Sequence, residues 1–399
     1  MSLTVTVIIP TFNRSHYLAE SIQAVLNQTC QADRIVVIDD GSTDKTREIV
    51  AQYGQEISYM FQQNAGKSAA LNNALRTVDS DTVWIIDDDD IVVIDALSRL
   101  KNALVTEPDA GFSYGKYDNF FLNSYGEKIV KAGSLRLPDE HDLYASLLIS
   151  NTFIFQPAML VRREAYQTAG PFDETLIRAQ DYDMLLRLSR TSRGIAVNDI
   201  IFHQRQHDGE RGSAAQRIDG ARVWALQGQW DARVVEKNYQ SSLLNDYLPH
   251  EAKAIDLATH SQVFARALMR RATSLARRGV WELALKDVVI IGKLRVESDA
   301  YRHEGSFLAP VWASIDWSQG SSQLSLFVTQ VFGLDKSPTI VSLQHAILRS
   351  AARLVKQRSF LGDRRSAIRT IRFMIGSIGL VKFSAMSTLT LAMMAVRRK

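Results

Sequence analysis

The chain has 399 residues, 46% of them hydrophobic, and 47 basic side chains against 43 acidic ones. That length exceeds the usual single domain and favours two, while so even a charge balance gives no argument for nucleic acid as a partner. The lone cysteine, Cys30, excludes a disulfide framework or a thiolate zinc site and suits a reducing compartment.

The chain opens on an apolar run, Val5 to Ile9, that reads as a buried strand ended by Pro10-Thr11-Phe12-Asn13-Arg14. No basic region followed by a long apolar run is seen, so no signal peptide is read, and no segment reaches the ~20 apolar residues of a membrane span. Ser15 can cap a helix to about Gln28, with Leu18, Ile22, Val25 and Leu26 at helical spacing. A second strand, Arg34 to Ile38, runs into Asp39-Asp40-Gly41-Ser42-Thr43-Asp44, where Asp44 reads best as the cap of the next helix. A third, Ile57 to Phe61, leads to Asn64-Ala65-Gly66-Lys67 and a helix from Ser68.

The fourth strand, Thr82 to Ile86, ends in four consecutive acids, Asp87-Asp88-Asp89-Asp90. Adjacent carboxylates repel and cannot sit in an apolar interior without a partner, so this strand end asks for a cation. Oxygen-only ligands on a loop suit Mg²⁺ or Mn²⁺; a solvated acidic turn is the plainer alternative. Strands alternating with helices predict an α/β fold with a mostly parallel sheet, in which ligands lie beyond the carboxyl ends of the strands. All four polar clusters follow strand ends and should face one crevice.

Asp95 reads as the cap of a helix to Val105, Ala110 to Asn119 as a strand, Asn123 to Glu127 as a hairpin turn, and Pro157 to Val161 as another strand. Asp181 opens a helix, where an anion is favoured. Asp183 and Arg187 have ion-pair spacing, Trp84 reads as core, and His203 as an ordinary loop residue. From about Asp219 the composition turns to Ala/Leu/Arg helical runs, with a helical hairpin around Arg277-Arg278-Gly279. This divides the chain at 218/219. The basic, partly apolar segment Arg364 to Lys399 suits either peripheral contact with an anionic membrane face or a core helix pair with a basic rim.

Val7 to Arg14, Val37 to Asp44, Asn64-Ala65-Gly66 with Asn72, and Ile86 to Asp90 together resemble the successive motifs of family 2 glycosyltransferases of the GT-A fold. The resemblance covers roughly residues 1 to 215 and implies a GT-A sheet flanked by helices, followed by an α-helical C-terminal region. It implies that Pro10, Thr11, Arg14, Asp39, Asn64, Gly66, Lys67, Asp87 and Asp88 bind a nucleotide-diphosphate sugar. Asp87, Asp89 and His207 would meet a Mn²⁺ or Mg²⁺ ion, and Asp181 would be the base of an inverting transfer to a glycan, lipid-linked or polysaccharide hydroxyl. UDP is the favoured nucleotide and the cytoplasm the expected compartment. Three departures stand out: Gln180 replaces the acid usual before the base, Leu71 replaces a basic residue, and after Arg205-Gln206-His207 the serine arrives only at Ser213. Two rivals are a haloacid-dehalogenase-like phosphohydrolase using Asp87 or Asp88 covalently, and a non-catalytic nucleotide-sugar-binding protein.

Overall fold

The computed structural model describes residues 3–123, 125, 127–133, 137–149, 154–206, 220–294, 322–334 and 338–378. The chain divides into two compact units, residues 1–147 with 151–234, and residues 148–150 with 235–399. The expected boundary at 218/219 lies outside the described residues.

In the first unit, the predicted alternation produces β1 (Val5–Thr11), α1 (Ser15–Leu26), β2 (Arg34–Asp39), α2 (Thr46–Ala51), β3 (Ser58–Phe61), α3 (Lys67–Leu75) and β4 (Thr82–Ile85). These four strands are parallel, ordered β3-β2-β1-β4. Val7, Ile8, Ile9, Val36, Val37, Val83 and Trp84 are fully buried between the flanking helices, as near-continuous apolar strands covered on both faces must be. Trp84 is core, and its indole N–H donates to the Pro157 carbonyl at 2.9 Å.

Pro10 does not end β1. It stays in the strand opposite Ile38, and Thr11 pairs with Asp39. The Ile8 carbonyl accepts from Ile86 on the β4 side, so alternation turns Pro10 toward that same side, where β4 has already stopped at Ile85. A residue without an N–H costs nothing there.

Beyond β4 the sheet becomes mixed. The elements are β5 (Ile91–Val92), α4 (Ala96–Thr106), β6 (Ala110–Leu122), β7 (Lys128–Ala132), α5 (Leu143–Ile149), β8 (Met159–Arg162), α6 (Arg163–Ala169), α7 (Gln180–Thr191) and β9 (Arg193–Arg205). β8 runs antiparallel to both β4 and β6, while β6 and β9 are parallel. The hairpin of β6 and β7 turns at Asn123, as predicted. β6 has 13 residues and continues from Lys116 to Leu122, past its last pair with β8 at Tyr114 and Met159. Pro157 lies in a short 3-10 turn, Gln156–Ala158, rather than in the strand, which starts at Met159.

Two capping expectations are corrected. Ser15 is itself helical, and its N–H is met by Asp44 at 2.9 Å; Asp44 also accepts from the Thr46 N–H at 3.0 Å, so one carboxylate caps both α1 and α2. Asp95 makes no cap bond to α4; an ion pair with Arg99 at 2.6 Å takes its carboxylate instead.

The second unit is helical. α8 (Gly220–Ser241) leads into it, and α9 (Ser261–Arg277) and α10 (Trp281–Lys293) form the expected hairpin. Arg271 on α9 grips the buried Asp287 on α10 through two bonds of 2.8 and 2.7 Å. Three further helices follow, α11 (Ser322–Gly333), α12 (Pro338–Phe360) and α13 (Arg364–Ile378). Among the described residues no helix is long and apolar enough to cross a membrane.

Candidate active site

The polar clusters predicted to converge do so at the carboxyl ends of β1, β2 and β4. Asp39 is buried at the end of β2. Its carboxylate accepts from the Ser42 N–H at 2.7 Å and from the Tyr59 hydroxyl at 2.6 Å. Burial and that carboxylate push the Tyr59 phenol well above its ordinary range. Asp40 organises the next loop. It accepts from Gln62 at 2.7 Å and from the N–H groups of Ala65 and Gly66 at 2.9 Å each, and its carbonyl takes the Asn64 amide at 2.9 Å. Gly66 has φ +93°, a left-handed value that lets the backbone turn into Asp40. Gly41, at φ +87°, has no room for a side chain: a Cβ there would stand 2.7 Å from the Asn64 nitrogen.

This loop delivers Lys67 as the first residue of α3, and its ammonium meets the Asp87 carboxylate. The second cation comes from β1's loop. Arg14 bonds Asp88 at 3.1 Å and Asp89 at 2.7 Å. The backbone of the acidic turn is pinned by Ser21, whose hydroxyl donates to the Asp87 carbonyl at 3.1 Å and the Asp90 carbonyl at 2.5 Å. Behind the turn lies Arg205, the last residue of β9, only 4% exposed. Its backbone N–H donates to Asp90 at 3.0 Å and its Nε to the Asp89 carbonyl at 2.9 Å, while a terminal nitrogen meets Glu20. Its guanidinium lies over Tyr17 and Phe120, 4.8 and 4.5 Å from the ring centroids.

The electrostatics follow from crowding. Burial pushes Asp88 up to about 6 against the pull of Arg14. Asp90 is driven well above the usual carboxylate range by burial and by the charges of Asp89 and Asp87. Lys67 holds its proton more tightly than usual: burial opposes the ammonium, but Asp87 outweighs it, with help from Asp181 and Asp88.

Asp181 is the second residue of α7, which begins after Ala179 in a left-handed conformation. Its carboxylate accepts the Tyr182 N–H at 2.9 Å. Burial raises its pKa, and the nearby Lys67 charge opposes the rise. Lys67 thus contacts the acidic turn, and its charge also acts on Asp181. Asn72 joins α3 to the loop before α7: its amide donates to the Phe172 carbonyl at 3.0 Å and to Glu174 at 2.8 Å, and accepts the Phe172 N–H at 2.8 Å. Asp183 and Arg187 form the expected ion pair at 2.7 Å.

Pro10, Thr11, Arg14, Asp39, Asn64, Gly66, Lys67, Asp87, Asp88 and Asp89 therefore all lie on the loops and strand ends at this edge. His207 lies outside the described residues. His203 is not on a loop; it is in β9, paired with Ile91, because β9 is longer than its apolar run. Near Leu71, which stands where a basic residue is usual, Lys67 reaches the acids, whereas Arg76 bonds Asn73. Sequence reasoning missed Asp40, Tyr59 and the buried Arg205. The paired acids of Asp39-Asp40 were a signal for the first and the Arg205-Gln206-His207 motif for the third, but nothing local marks Tyr59.

Among the described residues no group of three or more His, Cys, Asp or Glu side chains is placed to hold a metal ion. The donor set nonetheless has suitable chemistry, since Mg²⁺ commonly binds through one or two carboxylates with waters and substrate phosphates completing its shell. Asp87 and Asp89 are such carboxylates.

Residues 6–170 match the profile of glycosyl transferase family 2 and form a domain of that family. An uncharacterized glycosyltransferase of Rickettsia typhi is 27% identical over 218 residues, 53% of this chain and 66% of its own length. Glycosyltransferase GlyA of Streptococcus pneumoniae is 35% identical over 119 residues, 29% of this chain and 17% of GlyA. The chain covers less than two thirds of the length of these relatives. The crystal structure of S. aureus TarS 1-349 in complex with UDP-GlcNAc shares the fold, with a TM-score of 0.51 at 16% identity over 90% of this chain and 92% of that one.

Proposed function

We propose that this protein transfers a sugar from a nucleotide-diphosphate sugar, UDP being the favoured nucleotide, to a hydroxyl of a glycan, lipid-linked or polysaccharide acceptor, with inversion at the anomeric carbon. The observation that carries this reading is that Lys67 is paired with Asp87 while its charge also acts on Asp181. This supports reading the acidic turn as suited to a leaving diphosphate and Asp181 as a carboxylate suited to an attacking hydroxyl under the influence of the same cation. A base opposite the leaving group, acting in one displacement, gives inversion.

In this reading Asp39 and the 64–67 loop hold the nucleoside, and Arg14 and Lys67 contribute positive charge to the diphosphate. Asp87 and Asp89, with His207, would hold a Mg²⁺ or Mn²⁺ ion, which when bound offsets the charge developing on the leaving group. Asp181 takes the proton of the acceptor hydroxyl. Burial favours this role, because a carboxylate raised above its ordinary range is a stronger base at neutral pH. The S. aureus neighbour's UDP-GlcNAc supports testing UDP-sugars first.

The test is calorimetry with UDP, dTDP, GDP and their sugars, with and without Mn²⁺. Metal-dependent binding that Asp89→Asn abolishes supports the site. Binding without turnover in Asp181→Asn supports the base, and undiminished turnover in that variant rejects it.

For the helical unit we propose peripheral contact with an anionic membrane through α13 and the basic segment after it. Flotation with anionic liposomes tests this, comparing the full chain with a truncation at Asp363; equal behaviour rejects it.

A further inference from the structure

Gln156 is 4% exposed, yet among the described residues neither its amide nitrogen nor its amide oxygen has a hydrogen-bond partner. Buried polar side chains are almost always satisfied, because leaving one unpaired forfeits its hydration without return. A glutamine with both ends unpaired is doubly unusual, since it offers two donors and an acceptor within one planar group.

Its place in the fold gives the orphan a direction. β8 runs antiparallel to β4 with Trp84 opposite Leu160. β8 starts at Met159, so the 3-10 turn that precedes it, Gln156–Ala158, lies toward the carboxyl end of β4, the end from which the acidic turn emerges. The bond from the Trp84 indole to the Pro157 carbonyl ties this 3-10 turn to β4. A second orphan, the Gln180 amide oxygen, sits one residue before Asp181. The reacting carbon of a sugar donor has to lie between a diphosphate at the acidic turn and a base at Asp181, so the donor's sugar ring is the ligand that brings hydroxyls to this edge.

Resting on the proposed transferase reading, we infer that Gln156 is a specificity-determining residue that reads the transferred sugar: its amide N–H donates to one ring hydroxyl and its carbonyl accepts from another. Vicinal hydroxyls match a primary amide because each can both donate and accept. A site built around such a pair discriminates strongly against sugars that lack the matching hydroxyl, since the amide then stays buried and unpaired.

The experiment is calorimetry of the full chain with UDP, UDP-glucose, UDP-galactose and UDP-N-acetylglucosamine in Mn²⁺, comparing wild type with Gln156→Met and Gln156→Glu. Met keeps the length and removes the hydrogen bonds; Glu keeps an acceptor and loses the donor. The inference expects Gln156→Met to leave UDP affinity unchanged while weakening the best wild-type UDP-sugar about tenfold or more, with Glu also impaired. Melting temperatures identify any variant that fails to fold, and Gln156→Asn then serves in its place, with the same expectation. Equal losses for UDP and UDP-sugar, or no loss for either, overturn the assignment while leaving the transferase reading intact. If wild type binds none of the four, the nucleotide-sugar reading falls and takes the assignment with it.

Discussion

Arg205 donates its backbone N–H to Asp90 at 3.0 Å and its side-chain Nε to the neighbouring Asp89 carbonyl at 2.9 Å. The last residue of β9 thus fixes the turn that follows β4. Arg205→Met keeps the backbone bond but strands a carbonyl and removes the cation from the faces of Tyr17 and Phe120. A loss of about 2–4 kcal/mol is expected in urea unfolding, with Arg205→Lys in between. A loss below about 0.5 kcal/mol would place this residue with ordinary surface positions and refute the account.

Removing the base should leave binding and stop chemistry. Asp181→Asn is expected to lower kcat by roughly 10²–10⁴ with little change in nucleotide affinity. The pH profile is a separate check. Asp181 acts as base only when ionised, and burial raises its pKa above 3.8, so the acidic limb of kcat should sit above the ordinary aspartate range. Lys67 opposes that rise, so Lys67→Met should move the limb further up. A limb unmoved by Lys67→Met would uncouple the two.

The glycines of the loops separate strain from collision. Both Gly41 and Gly66 have positive φ, but an added Cβ at Gly66 meets nothing within 4 Å, whereas at Gly41 it strikes the Asn64 backbone. Gly66→Ala should therefore cost about 1–3 kcal/mol through conformational strain alone. Gly41→Ala should cost more and also weaken nucleotide binding, because the 62–66 loop must shift. Equal effects in thermal unfolding and calorimetry would contradict the distinction.

Asp44 gives a pH-dependent test of capping. Burial works against its charge, but the Thr46 hydroxyl and the N–H groups of Ser15 and Thr46 hold its pKa below 3.8. A depressed carboxylate contributes stability that is complete above pH 3.8 and is lost as pH falls through the lower, folded value. Asp44→Ala should cost about 1–2 kcal/mol at pH 7, and the gap from wild type should narrow as the pH drops below 3.8. A gap that stays constant with pH would rule out the charged cap.

The order of strands and the strand-end clusters were legible because β1, β2 and β4 are largely apolar, buried runs rich in valine and isoleucine and closed by polar residues. Asp87 to Asp90 stood out for the same local reason: four carboxylates in a row have no bland place in a core. The partners of those acids were not legible. Arg14 lies more than seventy residues from Asp88 and Asp89, and Arg205 lies 115 from Asp90, so only the folded topology brings them together. Caps failed where a rival claimed the side chain, as Arg99 does for Asp95. Pro10 misled because its missing donor matters only if a neighbouring strand is there to accept it. Gln156 gave no signal, since an unpaired amide is defined by what the fold fails to put beside it.

The length of β6 has a consequence of a different kind. Its final stretch, Lys116 to Leu122, outruns β8 and carries β7 as an outer strand bonded, among the described residues, on one side only, with Ile129 and Val130 substantially exposed. An open strand of that sort is a template for stacking by another chain. Lys128 and Lys131, poised over the Phe120 and Phe121 rings, put charge along this rim. Solubility at high concentration should accordingly hinge on these two lysines: light scattering of Lys128→Thr/Lys131→Thr should show self-association that the parent protein resists.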